Sequence, residues 1–489
     1  MNRHPPQVRA LLINEAIRIP VLAQYESRFS MRIQFPDPDH SETDGHLFHF
    51  AASLNGREFN LGPCRIVPSD GEGTCSLMFL DTQLDCRQFF IDRYAAESRK
   101  ELTELRELLS VPDRVHDEFK LYTADLVYHL NVYRSIFGDL DATLSDMPGD
   151  IRLTVQQDLI ESEGPQFFRF LDLRLSELKQ LVEAYGSEEH QAHGYYFRKH
   201  LWSFLICSPL IRRTNIKPRG FAGDSKVMRL IYGENAHLSS TFSKLLHSHA
   251  VGHAAAQSVR NRINMVSKMI RNLPNELPAA HRNKIKILSV GCGPSLEVQN
   301  IFRSKEDIDL YQITLLDQDH MAISESADLI KRVEEKYRKR IEANYVNASI
   351  RTMIFSKKLK RDAGEEEYDF IYSLGLFDYL SFPIAKALLK SLYKMLKSGG
   401  YMLIGNFHVD NPSKYYMEYW CDWVLRHRTE NELKDLAHGI AGADTKIIFE
   451  ETGSQMFLYI RKTNTVRKVH PRHSKATATE PRITSIPTE

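Results

Sequence analysis

The chain has 489 residues and a formal net charge of +1, from 64 Lys+Arg against 63 Asp+Glu. That length exceeds one ordinary domain, and the charge balance excludes a protein whose main business is coating nucleic acid or an anionic membrane. Hydrophobic residues make up 42% and aromatic residues 10%, enough for most of the chain to bury a core. No apolar run approaches the roughly 20 residues that span a bilayer; the longest, Leu201 to Ile211, is broken by Ser203, Ser208 and Pro209. Met1 to Pro6 has no apolar stretch of a secretory leader. Cys64, Cys75, Cys86, Cys207, Cys292 and Cys421 form no Cys-x-x-Cys pair and no metal-like spacing. The expectation is a cytoplasmic protein with no integral membrane association, no nucleic-acid partner and no metal site.

In chain order, Val8 to Arg28 has helical apolar spacing (Leu11, Leu12, Ala16, Ile19), interrupted by Pro20. His46 to Phe50 and Cys75 to Leu80 alternate as strands, with turns expected at Asn55-Gly56 and Gly71-Glu72-Gly73. These residues, 1–94, read as a small β-rich module with a leading helix. From 95 to 273 the period becomes helical, as in Leu102, Leu105, Leu108 and Leu109, and again in Leu171, Leu173, Leu178 and Leu181. Lys217 to Asp224 interrupts this region with a Pro/Gly loop that has more turn chemistry than a plain helix connection needs. From 274 to 462 strands and helices alternate, the pattern of a parallel sheet covered on both faces. Strands are expected at Ile285 to Val290, Ile313 to Leu316, Asp369 to Ser373 and Tyr401 to Asn406. Helices are expected at Ser295 to Ser304 (capped by Ser295), His320 to Ile341 and Ile384 to Leu396. Lys446 to Phe449 and Met456 to Ile460 flank Gly453 as a closing hairpin. The tail, 463–489, is polar and expected to be disordered.

The chemistry concentrates at Ile287 to Ser295, where a hydrophobic strand runs into Gly291-Cys292-Gly293 and a turn. Glycine lets the backbone turn sharply and approach a cofactor. A dinucleotide fingerprint needs a further glycine at position 296, which is Leu296, so the pattern suits a nucleoside cofactor without a diphosphate. S-adenosylmethionine is such a cofactor. Asp317, 24 residues after Gly293 and at the end of the second strand, can accept both ribose hydroxyls.

The runs Tyr368 to Leu380 and Leu396 to Phe407 resemble the fourth-strand region and the approach to the fifth strand of class I methyltransferases. With Lys217 to Asp224 and Arg260-Asn261-Arg262, they resemble a narrower bacterial group, the 3-hydroxypalmitic acid methyl ester biosynthesis (quorum-signal) methyltransferases. That resemblance covers roughly residues 195 to 462, and the front module resembles a PilZ-like β unit more loosely. It implies an α/β, Rossmann-like sheet with a C-terminal antiparallel hairpin, preceded by a helical region that closes over cofactor and substrate. It implies a cofactor set of Ser289, Gly291, Cys292, Gly293, Asp317, Gln318, Asn347, Ala348, Ser373 and Leu374. The family allows an acidic residue where Ser289 stands; a hydroxyl there makes a weaker hydrogen bond to the methionine amine. A homodimer is compatible with the resemblance.

Methyl transfer from a sulfonium is an in-line displacement, in which a carboxylate acceptor needs alignment and a hydroxyl acceptor also needs a base. Asp378, Tyr379, His408 and Glu418 are the catalytic candidates, and Lys217, Asp224 and Tyr232 the substrate-binding candidates. The aromatic run Met417 to Trp423 fits core packing or the wall of an acyl channel. Lys331 to Arg340 is a solvated helix face. The leading expectation is a methyltransferase whose acceptor is a fatty or hydroxy-fatty carboxylate. The alternatives are a protein carboxylate or other metabolite as acceptor, and a regulatory protein that only senses the cofactor.

Overall fold

The computed structural model describes residues 8–13, 18–27, 30–35, 47–54, 57–68, 74–80, 90–91, 105, 107–233, 238, 240–355 and 368–463. The turns expected at 55–56 and 71–73, Leu102 and residues 464–489 lie outside them. The chain divides into two compact units, Met1–Asp113 and Arg114–Glu489.

The first unit is a closed antiparallel barrel of six strands: β1 (Val8–Ile13), β2 (Arg18–Ser27), β3 (Ser30–Gln34), β4 (Leu47–Leu54), β5 (Arg57–Pro68) and β6 (Thr74–Phe79). Their order around the barrel is β1-β2-β3-β6-β5-β4, and β4 closes on β1. The helix expected over Val8 to Arg28 is instead the β1-β2 hairpin, with Pro20 opposite Leu11. Ala10, Leu12, Ile19, Val21 and Ala23 are buried while Leu11 is exposed, a period of two. Adjacent Leu11 and Leu12 fit either period, and the barrel interior selects the strand.

The second unit begins with α1 (Asp117–Thr143), α2 (Gly149–Val182), α3 (Ser187–Leu205), α4 (Pro209–Ile216), α5 (Ser225–Ile231), α6 (Thr241–Gly252) and α7 (Ala254–Glu276). Leu171 and Leu178 are buried on α2, while Leu173 faces solvent. The sheet follows: β7 (Ile285–Val290), α8 (Val298–Ile301), α9 (Lys305–Leu310), β8 (Tyr311–Asp317), α10 (His320–Tyr337), β9 (Glu342–Asn347), α11 (Ile350–Phe355), β10 (Tyr368–Ser373), α12 (Phe382–Met395), β11 (Leu396–Phe407), α13 (Glu430–Asp435), β12 (Ala443–Phe449) and β13 (Gln455–Lys462). Strand order is β12-β13-β11-β10-β7-β8-β9. Only β13 runs against its neighbours, so the closing hairpin delivers the reversed strand into the sheet beside β11.

Two expectations change. Ser295 does not cap a ten-residue helix: its φ is +49°, and the helix is the single turn α8. α10 stops at Tyr337, because Arg338 adopts a left-handed cap and residues 342–347 pair with β8 as an edge strand. Apolar cores cover both faces of the sheet, one around Val266, Ile287 and Tyr311, the other around Leu288, Leu389 and Met402. β7 and β10 lie side by side at the centre with their connections leaving in opposite directions, which opens a crevice at their carboxyl ends.

Candidate functional site

A cavity of about 260 Å³ occupies that crevice. Its floor is the turn after β7. Gly291 and Gly293 have φ of +65° and +55°, and a Cβ built on Gly293 would meet no atom within 4 Å. The turn therefore presents bare backbone to open space, a cradle that a side chain would fill. Asp317, at the end of β8, closes one side. Its Oδ2 accepts from the Gly293 N–H and its Oδ1 from the Asp319 N–H, both at 2.9 Å. Burial pushes its pKa up, against these backbone hydrogen bonds. Each oxygen keeps a lone pair for a diol, so the residues fit the nucleoside end of S-adenosylmethionine.

Of the remaining cofactor candidates, Ser289, Cys292, Gln318, Ala348 and Leu374 line the cavity. Burial holds the Cys292 thiol well above its usual pKa, in the protonated form. Asn347 and Ser373 do not line it. Asn347 is exposed and donates to the Asp317 carbonyl, bracing the end of β8, and the Ser373 hydroxyl is enclosed.

Two charged residues absent from the expected set line the cavity instead. Glu297, in the turn leading to α8, is 4% exposed, and its Oε1 accepts from the Tyr372 hydroxyl at 2.7 Å. Burial raises its pKa. Arg262, on α7, is 9% exposed and donates to the Leu374 carbonyl at 3.1 Å, with its Nη2 against Met228 Sδ. A buried carboxyl and a buried guanidinium thus line the space beside the glycine turn, groups able to pair with the ammonium and carboxylate of an amino acid. Sequence reasoning passed over Glu297 because it lies beyond the glycine motif. Arg262 lies in the Arg260-Asn261-Arg262 stretch, where nothing in the local pattern gives it a role.

The acceptor candidates divide. Asp378, Tyr379 and Tyr232 line the cavity. Asp378 is 1% exposed, accepts from the Phe407 N–H at 2.7 Å, and is pushed by burial up to about 6. The Tyr379 oxygen accepts from Trp423 Nε1 at 2.9 Å, which leaves its own proton for the cavity. Tyr232 spends its proton on the Val259 carbonyl at 2.6 Å, and burial raises its pKa to about 12.

Lys217, Asp224, His408 and Glu418 do not line the cavity. Lys217 pairs with Asp422 at 2.5 Å. Asp224 caps α5 and takes a fork of bonds from Arg213. His408 meets Glu430 at 3.2 Å. Glu418, its pKa raised by burial, has its carbonyl bonded by Arg198. Lys217, Asp224 and His408 each have a side-chain partner that the spacing of the sequence does not reveal.

The loop from 217 to 224 nevertheless reaches the site through Phe221 and Gly223. A Cβ on Gly223 would lie 2.6 Å from the Trp423 ring and 2.7 Å from the Tyr379 oxygen, so only glycine admits this approach. Arg219 fastens the loop to Asp319 at 2.8 Å and to Glu325 at 3.2 Å, beside the strand end that carries Asp317. Of the aromatic run, Trp420 is fully buried against Phe197, whereas Trp423 turns to the cavity.

Residues 261–439 match the family model described as a methyltransferase domain. No curated protein matches the chain. Among solved structures, a protein of Bordetella parapertussis described as a possible exported protein is 15% identical over 62% of this chain and 97% of its own, with a TM-score of 0.41. The N-methyltransferase NodS of Bradyrhizobium japonicum, with S-adenosyl-L-homocysteine, is 13% identical over 41% and 87%, at 0.29. Magnesium protoporphyrin IX methyltransferase of Synechocystis, also with S-adenosylhomocysteine, is 10% identical over 48% and 92%, at 0.34. Among the described residues, no helix is long and apolar enough to cross a membrane.

Proposed function

We propose that this chain, an S-adenosylmethionine-dependent methyltransferase, methylates a small acid with an apolar body, with a fatty or hydroxy-fatty carboxylate the favoured acceptor and a methyl ester signal the product. The observation that carries the reading is the wall of the cavity. Phe221, Met228, Leu376, Phe407, Trp423 and Leu425 make it largely apolar, with the Tyr379 hydroxyl, the Asp378 carboxyl and the Arg262 guanidinium as polar groups among them. The resemblance to quorum-signal methyltransferases supplies the acyl class.

The cofactor supplies an electrophilic methyl on a sulfonium. The chain holds that cofactor at the Gly293 turn and Asp317, with Glu297 and Arg262 as partners for its charged amino-acid end. The apolar wall removes water from the acceptor, and Tyr379 orients a carboxylate by donating its proton without transferring it. A carboxylate acceptor needs no base. Asp378 supports a second reading: a carboxyl with a pKa of about 6 in the cavity can take the proton of a hydroxyl acceptor at neutral pH.

The test is methyl transfer from radiolabelled S-adenosylmethionine to medium- and long-chain acids, their 3-hydroxy derivatives and polar metabolites. Label in an organic-extractable ester, at a rate nearly flat between about pH 6.5 and 8, supports the carboxylate. A rate that climbs through about pH 6 and fails in Asp378→Asn supports the hydroxyl reading. Label in protein alone overturns both.

A further inference from the structure

We propose that Asp172, His249 and His253 form a site for one divalent transition-metal ion of the zinc class, separate from the cofactor cavity. Asp172 projects from α2, His249 from the last turn of α6, and His253 from the junction of α6 and α7. One ligand atom from each lies within 4.8 Å of the other two. None of the three residues lines the cofactor cavity.

The donor set and its supports fit a metal. Two imidazoles and a carboxylate match the borderline-soft preference of zinc, and the histidines are four positions apart, about one helical turn. His249 Nε2 and Asp172 Oδ1 are 3.1 Å apart. Two ligands about 2.0 Å from a tetrahedral ion stand about 3.3 Å apart, so this pair is already near the required spacing. His253 Nδ1 is held by Ser413 Oγ at 2.8 Å, and the same oxygen accepts from the Ala255 N–H at 2.9 Å. A ring nitrogen fixed in this way orients the other one as a ligand. That other atom, His253 Nε2, is buried and has no hydrogen-bond partner among the described residues; the same holds for His249 Nδ1 and Tyr416 Oη in this corner. Tyr416 stacks on His253 with ring centroids 4.4 Å apart, while the Asp172 carboxylate is solvent-exposed.

An ion here would staple α2 to the corner from which α7 carries Arg262 into the cofactor cavity. It would leave a fourth coordination position for water, since three protein ligands are present.

The test uses the full chain, stripped with chelator and titrated with Zn2+ by calorimetry. Co2+ serves as a spectroscopic probe. The expected result is one equivalent bound, a higher melting temperature on loading, and intense visible cobalt absorption of tetrahedral type. Asp172→Asn, an exposed change that leaves packing intact, should weaken Zn2+ binding about tenfold or more. His253→Gln should abolish the cobalt spectrum. Both variants should keep wild-type affinity for S-adenosylmethionine. No binding by the wild-type chain, or equal binding by both variants (as for adventitious capture by other histidines), would overturn the site.

Discussion

The Tyr372 hydroxyl donates to Glu297 Oε1 across 2.7 Å, and both side chains are almost wholly enclosed at the cofactor cavity. β10 carries Tyr372 and the turn before α8 carries Glu297, so the bond ties β10 to the segment that follows β7. Ser289 on β7 offers the cavity only a hydroxyl, and Glu297 brings a carboxylate to it from the turn before α8. A buried carboxylate with a raised pKa gains a proton or a cationic partner.

Glu297→Gln should therefore weaken S-adenosylmethionine binding by about tenfold or more, the scale of a lost charge-assisted hydrogen bond. The amide still accepts from Tyr372, so the melting temperature of the free chain should hold or rise. Calorimetry on the variant decides it, and unchanged affinity would leave Glu297 with a structural role only.

Asp317→Ala should cost about 2 kcal/mol or more of cofactor affinity, since two charge-assisted hydrogen bonds to ribose go. It also frees the Gly293 and Asp319 N–H groups that the carboxylate now holds. A folded variant with wild-type affinity would remove Asp317 from the site.

Gly293→Val should abolish cofactor binding. Its φ of +55° disfavours a β-branched residue, and the new side chain would enter the open cradle. Circular dichroism should still report the helices of 117–276. Normal turnover by this variant would sink the assignment of the glycine turn.

Asp378 makes stability depend on pH. Its pKa rises from 3.8 in the unfolded chain to about 6 in the folded one, so the folded state holds its proton longer. Stability is therefore lost as pH climbs from about 4 through about 6, by about 3 kcal/mol at most. Asp378→Asn keeps an oxygen for the Phe407 N–H and removes the buried charge. Its melting temperature should exceed that of wild type by a few degrees at pH 7 to 8 and match it near pH 4. A gap that stays constant with pH would refute this.

Several features were legible in the chain itself. A strand pouring into Gly291-Cys292-Gly293, an acid closing the next strand, and a hairpin around Gly453 are local patterns, and backbone geometry follows from them directly. A parallel sheet covered on both faces follows from the alternation of strands and helices. At Val8 to Ser27 local pattern was insufficient, because neighbouring leucines satisfy both periods until a barrel interior accepts one face.

Side-chain roles were decided by tertiary structure. Lys217 and His408 carried the right chemistry but met Asp422 and Glu430, partners 205 and 22 residues away, which pin them outside the cavity. Glu297 and Arg262 lie 35 positions apart and no sequence pattern pairs them, yet folding buries both at one crevice. Asp172 lies 77 residues before His249 and becomes its neighbour only when α2 packs on α6. Local backbone preference is written residue by residue. Which polar groups are neutralised by a distant partner, and which are left facing a cavity, is settled only when the helices and strands close on one another and exclude water.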